Sequence, residues 1–133
     1  MGYESSLHLV GVRVRAAAVP EVKRALENPG KRGTKDIAYF LRRAVIDSAG
    51  FLVFKASVDR EDPYVPDEEG TVVALYGKWY EAEQIARWIS RHSRKGGRLV
   101  LHSIEGDGDA SGWEFDGRGR MRELCLVPVG KWV

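Results

Sequence analysis

The sequence predicts an α+β fold whose sheet is mainly antiparallel. Strand-like segments occur near both ends of the chain, at residues 7–14 and 98–105. Between them, residues 34–50 and 79–92 repeat apolar residues at the three-and-four spacing of one helical face. The last third of the chain then continues with further strand-like residues and no helix, which is typical of a closing hairpin.

The first half of the chain predicts one strand and two helices. Residues 7–14 alternate in polarity as a strand does, and Pro20 suits the first turn of a short helix that ends near Leu26. Thr34 is a candidate N-cap for the second helix, which Gly50 is placed to end. Ala44 and Val45 then belong to the apolar face of that helix.

The second half of the chain predicts strands around one more helix. Residues 51–58 and 71–76 are β-rich, and the acidic segment 59–70 joins them as a long hairpin loop. A helix follows to His92, with basic residues at its exit that suit the negative end of the helix dipole. The chain closes with strand 98–105, a glycine-rich link and a final hairpin that ends at Val127.

This order of elements predicts a ferredoxin-like two-layer sandwich. Two helical crossovers return the chain to one sheet, so the helices are expected on a single face and the final hairpin extends the sheet. The first strand should then lie beside the strand that starts at Arg98. The length of 133 residues fits one domain over residues 1–133.

Composition predicts a folded cytoplasmic protein, since 44% of the residues are hydrophobic and 30% are charged. No apolar run approaches the roughly 20 residues that span a bilayer, and no secretory signal is apparent, so we expect no membrane partner. Cys125 is the single cysteine, which excludes an internal disulfide and a cysteine-rich zinc site. The alternation of its strand predicts a buried Cys125.

The C-terminal half resembles a known group of small proteins. It reads Lys-Trp-Tyr at 78–80, Ile-Glu-Gly-Asp at 104–107 and Gly-Asp-Ala-Ser-Gly-Trp-Glu-Phe-Asp-Gly at 108–117. This pattern resembles the YubB-type ferredoxin-like domains of phage and mobile-element proteins. The resemblance covers about the last 60 residues, apart from a Gly-Tyr-Glu start, and it implies the fold. It brings no established functional residues.

The preferred functional prediction is a protein-binding module without catalysis of its own. Its partner is an unidentified protein, and the acidic loop is the recognition element, because function often sits on loops that a rigid scaffold holds. An exposed strand edge would also allow two copies to pair. The residues predicted to bind protein are Asp62, Tyr64, Asp67, Glu68 and Trp132.

Binding of nucleic acid is the alternative prediction. Basic residues near glycines suit phosphate contacts, and Trp79, Tyr80 or Trp113 would offer stacking surfaces to single-stranded bases. The net charge of +2 gives no strong general attraction, so only a local patch would serve. The residues predicted for this role are Lys31, Arg32, Lys35, Arg87, Arg91, Arg94, Lys95 and Arg118.

A metal-dependent or carboxylate-dependent hydrolase is the third prediction. The residues predicted for a metal or for acid–base chemistry are Glu105, Asp107 and Asp109. Asp107, Asp109, Ser111 and Gly112 begin like a calcium loop, but Arg118 occupies the twelfth position counted from Asp107, where a bidentate glutamate is required. His8 and His102 would lie on adjacent strands and could share a metal ion with Glu105. No complete catalytic signature or phosphate-binding loop is present, so no catalytic residue is assigned and no cofactor is expected.

Overall fold

The computed structural model describes residues 5–28, 35–55, 64–66, 72–103 and 110–126. Three α-helices and eight strands lie in these ranges. In chain order they are β1 (Ser5–Val10), α1 (Val19–Glu27), α2 (Lys35–Arg43), β2 (Ala44–Ile46), β3 (Leu52–Phe54), β4 (Tyr64–Pro66), β5 (Val72–Gly77), α3 (Ala82–Ser90), β6 (Arg98–Ser103), β7 (Ala110–Phe115) and β8 (Met121–Leu126). The predicted α+β class is confirmed.

One sheet contains all the described strands, in the order β2-β3-β5-β1-β6-β7-β8, and β4 also pairs with β5. Each of these strand pairs is antiparallel. The predicted neighbour of the first strand is confirmed, because β1 pairs with β6 from Ser5↔Ser103 to Val10↔Arg98. The predicted final hairpin is also present as β7 and β8, which pair from Ala110↔Leu126 to Phe115↔Met121.

The first strand ends earlier than the sequence pattern predicts. Gly11 has a φ of +61°, in the left-handed region that favours glycine, and this residue ends β1. Residues 12–15 then bond in two directions. Leu52 N donates to Val12 O at 2.8 Å on one side, and Arg94 N donates to Arg13 O at 2.7 Å on the other. This segment, residues 12–15, therefore joins the start of β3 to the residues that follow α3.

The second helix is also shorter than predicted. It ends at Arg43, and Ala44 and Val45 lie in β2, opposite Phe54 and Val53 of β3. The reason is a local turn, in which the Asp47 carboxylate accepts hydrogen bonds from two later backbone N–H groups, both at 2.9 Å. Such a side-chain bond replaces the helical backbone pattern and closes a β2–β3 hairpin instead.

The core joins alternate strand residues to the apolar faces of all three helices. Leu7, Leu75 and Leu99 are fully buried, as expected when every second residue of a strand points to the same side. Phe40 of α2 lies at the centre of this core, with its ring 5.9 Å from that of Phe54 and 6.0 Å from that of Trp88. Burial of an aromatic side chain of this size contributes about 3 kcal/mol.

Burial differs among three of the four tryptophans. Trp88 is buried, whereas Trp79 and Trp113 are partly buried and pack against the core. Tyr80 precedes α3 and is 69% exposed. The prediction of a buried Cys125 is wrong, because this residue is exposed on β8, the last strand in the sheet order. The alternating polarity of this strand predicts the wrong burial for Cys125, because it does not show how far the helices extend over the final hairpin.

Gly112 of β7 generates a stability prediction. A Cβ atom at this position would lie 2.0 Å from the backbone oxygen of Leu99 in β6, so Gly112→Ala forces the two strands apart. We expect a loss of about 3 kcal/mol in the free energy of unfolding, measured by urea denaturation. Gly77→Ala is the matched strand control, because its Cβ would come no closer than 3.4 Å to the Trp79 ring. Equal stability of the two variants would contradict the close approach.

Candidate functional site

Many of the residues predicted to bind a partner lie outside the described residues. This holds for Asp62, Asp67, Glu68 and Trp132 of the protein-binding set, for Lys31 and Arg32 of the nucleic-acid set, and for Glu105, Asp107 and Asp109 of the metal set. Tyr64 is described as the first residue of β4, where it pairs with Leu75 of β5. The protein-binding and hydrolase interpretations therefore stay predictions.

The described basic residues concentrate where the chain leaves α3 and enters β6. Arg91, Arg94 and Lys95 are exposed in this connection, while His92 and Ser93 between them are buried. The connection is held to the end of β7 by two backbone hydrogen bonds. Gly96 N donates to Phe115 O at 3.0 Å, and Phe115 N donates to Gly97 O at 3.2 Å. The basic connection is thus fixed beside the β7–β8 turn.

That turn, residues 116–120, is organised by one carboxylate. Asp116 accepts hydrogen bonds from the backbone N–H of Arg118 at 2.7 Å and of Arg120 at 3.0 Å, and from Arg120 Nε at 2.7 Å. The bond from Arg118 is the main reason that the pKa of Asp116 is lowered, and the bonds from Arg120 lower it further. The ionised side chain therefore stabilises the turn that presents Arg118.

Gly117 brings the turn and the basic connection together. Its φ is +80°, and a Cβ atom there would lie 2.7 Å from Lys95 N and 3.2 Å from Lys95 Cβ. Only glycine permits both this backbone conformation and this contact. As a result, Arg118 directly follows the residue that contacts Lys95, although Lys95 and Arg118 are 23 positions apart in the sequence.

We call Arg91, Arg94, Lys95 and Arg118 the basic patch. All four side chains are exposed, and none forms an ion pair within the described part of the chain. Four of the eight residues predicted to bind nucleic acid are therefore exposed and unpaired within the described residues, and the contact of Gly117 with Lys95 brings Arg118 to the segment that carries the other three. Arg87, a fifth, forms an ion pair with Glu83 at 3.1 Å one turn along α3.

A row of charges crosses three strands next to the patch. Register places Arg98 of β6, Glu114 of β7 and Arg122 of β8 opposite one another. Glu114 forms ion pairs with both arginines, at 3.8 Å to Arg98 Nε and at a shorter distance to Arg122. One carboxylate cannot neutralise two guanidinium groups, so the row adds positive charge to the surface.

Two adjoining grooves flank the β7–β8 turn. The first has a volume of about 470 Å³, and the second of about 440 Å³. The first groove is lined by Lys95, Gly96, Glu114, Phe115, Asp116, Arg120, Met121 and Arg122. The second is lined by Glu83, Arg87, Ser90, Trp113, Gly119, Arg120, Met121 and Glu123. Arg120 and Met121 line both grooves, so the two adjoin at these residues. In the first groove Arg120 and Arg122 are paired with Asp116 and Glu114, so Lys95 is the cation there that forms no ion pair within the described residues.

Lys35 does not join the basic patch. It begins α2 and lines a separate groove of about 310 Å³ with Lys78 and Tyr80. The same groove includes Glu81, whose N–H donates to Asp36 Oδ2 at 2.7 Å just before α3 begins. The patch follows the other end of α3, and a nine-residue helix is about 13 Å long. The predicted basic face is therefore divided into two parts.

The histidine part of the metal prediction is placed as expected. His8 and His102 lie on the adjacent strands β1 and β6, with Ser6 directly opposite His102. Burial lowers the pKa of His8, and the charge of His102 lowers it further. Among the described residues, no group of three or more His, Cys, Asp or Glu side chains could hold a metal ion.

Comparison of the chain with known protein families, with curated proteins and with solved structures finds no match. Separately, none of the helices in the described ranges has the length and apolar character needed to cross a membrane. The candidate site is therefore defined by the geometry of the described residues alone.

Sequence reasoning missed the contributions of Glu114, Arg120 and Arg122 to the site. A signal for one of these contacts was present, because Glu114 and Arg122 are equally far from Arg118 at the centre of the turn. Residues equidistant from the centre of an antiparallel hairpin face each other. The register of the final hairpin would have paired this glutamate with this arginine.

Gly117→Ala tests the contact that assembles the basic patch. The substitution introduces strain at positive φ and a clash with Lys95, so we expect a loss of about 3 kcal/mol in the free energy of unfolding, measured by urea denaturation. Gly119→Ala is the control, because its φ is +85° but its Cβ would contact nothing within 4 Å. This control should lose only about 1 kcal/mol. Equal losses would show that the contact with Lys95 is not tight.

The buried histidines predict a dependence of stability on pH. The pKa values of His8 and His92 both lie below 6.5, chiefly because of burial, so the folded state binds these protons less readily than the unfolded chain. The resulting stability is complete above about pH 6.5 and is lost as the pH falls through the folded pKa values. We expect a lower urea midpoint at about pH 5.5 than at about pH 7.5.

His92→Gln should reduce this difference, because the side chain that packs 5.1 Å from the Trp88 ring would no longer titrate. A midpoint of the unmodified protein that does not change over this pH range would contradict the assignment.

Proposed function

We propose that the protein binds single-stranded nucleic acid through the basic patch. The observation that carries this proposal is the contact of Gly117 with Lys95, which unites cations from two distant segments on one surface. Arg91, Arg94 and Arg118 complete this surface with exposed side chains. None of these four cations forms an ion pair within the described residues, although Glu114 and Asp116 line the same groove as Lys95. Both carboxylates are paired with other arginines, so the patch keeps its positive charge.

The chemistry of the patch suits phosphate. A guanidinium group binds phosphate oxygens through two parallel N–H donors, and lysine adds a compact positive charge. Contacts of this kind release counterions from the nucleic acid, which makes the affinity fall as salt rises. Since the patch cations form no ion pair within the described part of the chain, binding there avoids the cost of breaking one.

The second groove supports a single-stranded ligand. Trp113 is partly buried and lines this groove with Arg87 and Arg120, each of which is paired with a carboxylate, and with Glu83 and Glu123. An indole face can stack with any base, and this is a common way to hold single strands without selecting a sequence. A paired base is stacked within a duplex and offers no free face of this kind. Of the three aromatic residues predicted for stacking, Trp113 lies closest in the chain to the patch residue Arg118.

We also propose that the fold is ferredoxin-like and of the YubB type. A ferredoxin-like arrangement of the YubB type is supported by β1, which lies between β5 and β6 and is antiparallel to both. It is further supported by the core, which receives alternate residues such as Leu7, Leu75 and Leu99 from these strands. Helices on one face of the sheet would account for that alternation. One departure is the antiparallel bridge Arg13↔Phe51, which joins the continuation of β1 to the start of β3.

Charge removal tests the proposed function. We expect a labelled oligonucleotide of about 15 nucleotides to bind with a logarithmic salt slope near −3, as four phosphate contacts predict for a single strand. This corresponds to an affinity about 50-fold lower at about 200 mM salt than at about 50 mM. The triple variant Arg94→Gln, Lys95→Gln and Arg118→Gln should bind more weakly, with a slope near −1. Fluorescence anisotropy measures both quantities.

The matched control is the triple variant Lys23→Gln, Arg24→Gln and Lys55→Gln, which removes the same charge from exposed positions outside the patch. It should keep most of the affinity and a slope near that of the unmodified protein. Equal losses of affinity in the two triple variants would show that binding depends on general charge attraction, and would reject the basic patch as the binding site. Absence of oligonucleotide binding, with retention of a protein from host extract after nuclease treatment, would favour the predicted protein-binding module instead.

A further inference from the structure

Three polar residues converge on the side of the sheet that faces away from the core. Leu7 of β1 and Leu99 of β6 are buried in the core, so residues of the opposite parity in these strands point the other way. Ser6, His8 and His102 all have this parity. Ser6 is 6% exposed, His8 is half-buried and His102 is exposed.

Register brings the two imidazoles close to each other. Ser6 lies directly opposite His102, and His8 lies two residues further along β1, so the histidines are diagonal neighbours on adjacent strands. Diagonal neighbours on one face have Cα atoms about 7–8 Å apart, with Cβ atoms somewhat closer. Two imidazoles at this spacing can reach a shared ion, since metal–nitrogen bonds are about 2.0–2.1 Å long.

A hydrogen bond with Ser6 fixes the direction of the His8 ring. Ser6 Oγ lies 2.8 Å from His8 Nε2 and donates to the backbone oxygen of His102 at 3.4 Å. Since the Ser6 hydroxyl donates to His102 O, it accepts the N–H of His8 Nε2. The His8 ring therefore leans along β1 toward Ser6, the residue opposite His102. Because Ser6 is almost completely buried, its hydroxyl has little freedom to turn away, which keeps the ring in this direction.

We propose that His8 and His102 bind one divalent transition-metal ion of the Cu²⁺, Ni²⁺ and Zn²⁺ class, with Ser6 as a positioning residue for His8. Imidazole nitrogen is a preferred ligand of these ions. Because His8 donates Nε2–H to Ser6, the lone pair of its neutral ring lies on Nδ1, which is the nitrogen available to the ion. Two protein ligands leave the other coordination positions to water, which makes the site exchangeable. It is independent of the proposed nucleic-acid surface.

Copper titration of the full chain without a histidine tag tests the proposal. We expect one Cu²⁺ per chain by isothermal titration calorimetry. The electron paramagnetic resonance spectrum should show coupling to two imidazole nitrogens, and to one after His102→Ala. This substitution is at an exposed position, so the fold should be retained. The affinity should fall at least about tenfold with His8→Ala or His102→Ala, and by a smaller factor with Ser6→Ala.

His92→Gln is the matched control, because it removes the third histidine of the chain, which packs against Trp88. This variant should keep the copper affinity and the two-nitrogen signal. The proposal is overturned if the unmodified protein does not bind copper, if His102→Ala keeps the two-nitrogen signal, or if His92→Gln loses as much affinity as His102→Ala. Nickel and zinc should bind in the same place more weakly than copper.

Discussion

The arrangement of this molecule depends on the two-sided bonding of residues 12–15. Val12 and Val14 are buried, and a buried backbone must find partners for its N–H and C=O groups. It finds them in the start of β3 on one side and in the residues after α3 on the other. Each bond contributes only about 1 kcal/mol, but leaving one unmade at a buried position costs about 1–3 kcal/mol. These bonds therefore fix the exit of α3 relative to the sheet.

The position of the cationic surface follows from that exit. Ser93 is fully buried and bridges to Val14, so the residues around it have little freedom to move. The next residues turn at Gly96, whose φ is +106°, and bond to Phe115 at the end of β7. The β7–β8 turn is thereby held against Lys95. A few backbone hydrogen bonds thus determine the geometry of a surface that is made from two separate parts of the chain.

Periodicity and turn residues predict much of the fold. The strands and the final hairpin follow from patterns that span a few residues. The pairing of the first strand with the strand at Arg98 follows from the order of helices and strands along the chain. The end of α2 was not predicted, because Val45 fits both a helical face and a strand. The Asp47 side chain decides between them by closing a turn. The prediction that Cys125 is buried failed for a different reason, because the burial of this residue depends on coverage by elements that are distant in the sequence.

The candidate site was predictable as a set of residues but not as a surface. Arg94, Lys95 and Arg118 are conspicuous in the sequence, yet their proximity depends on the close approach at Gly117. A glycine in a turn indicates positive φ, but it does not reveal which backbone lies against it. The separation of Lys35 from the other cations has the same origin, because helix length and packing decide which charges share a surface.

The Asp116 carboxylate stabilises the β7–β8 turn through hydrogen bonds from residues of the turn itself. The carboxylate is bonded by the turn's own N–H groups and by Arg120 Nε, while the Arg118 side chain is exposed. Substitutions at Arg118 would therefore leave both the core and the bonds that define the turn intact. Ligand preference can drift at this tip over evolution without a penalty in folding. The same independence makes the tip a suitable position for grafting new recognition residues.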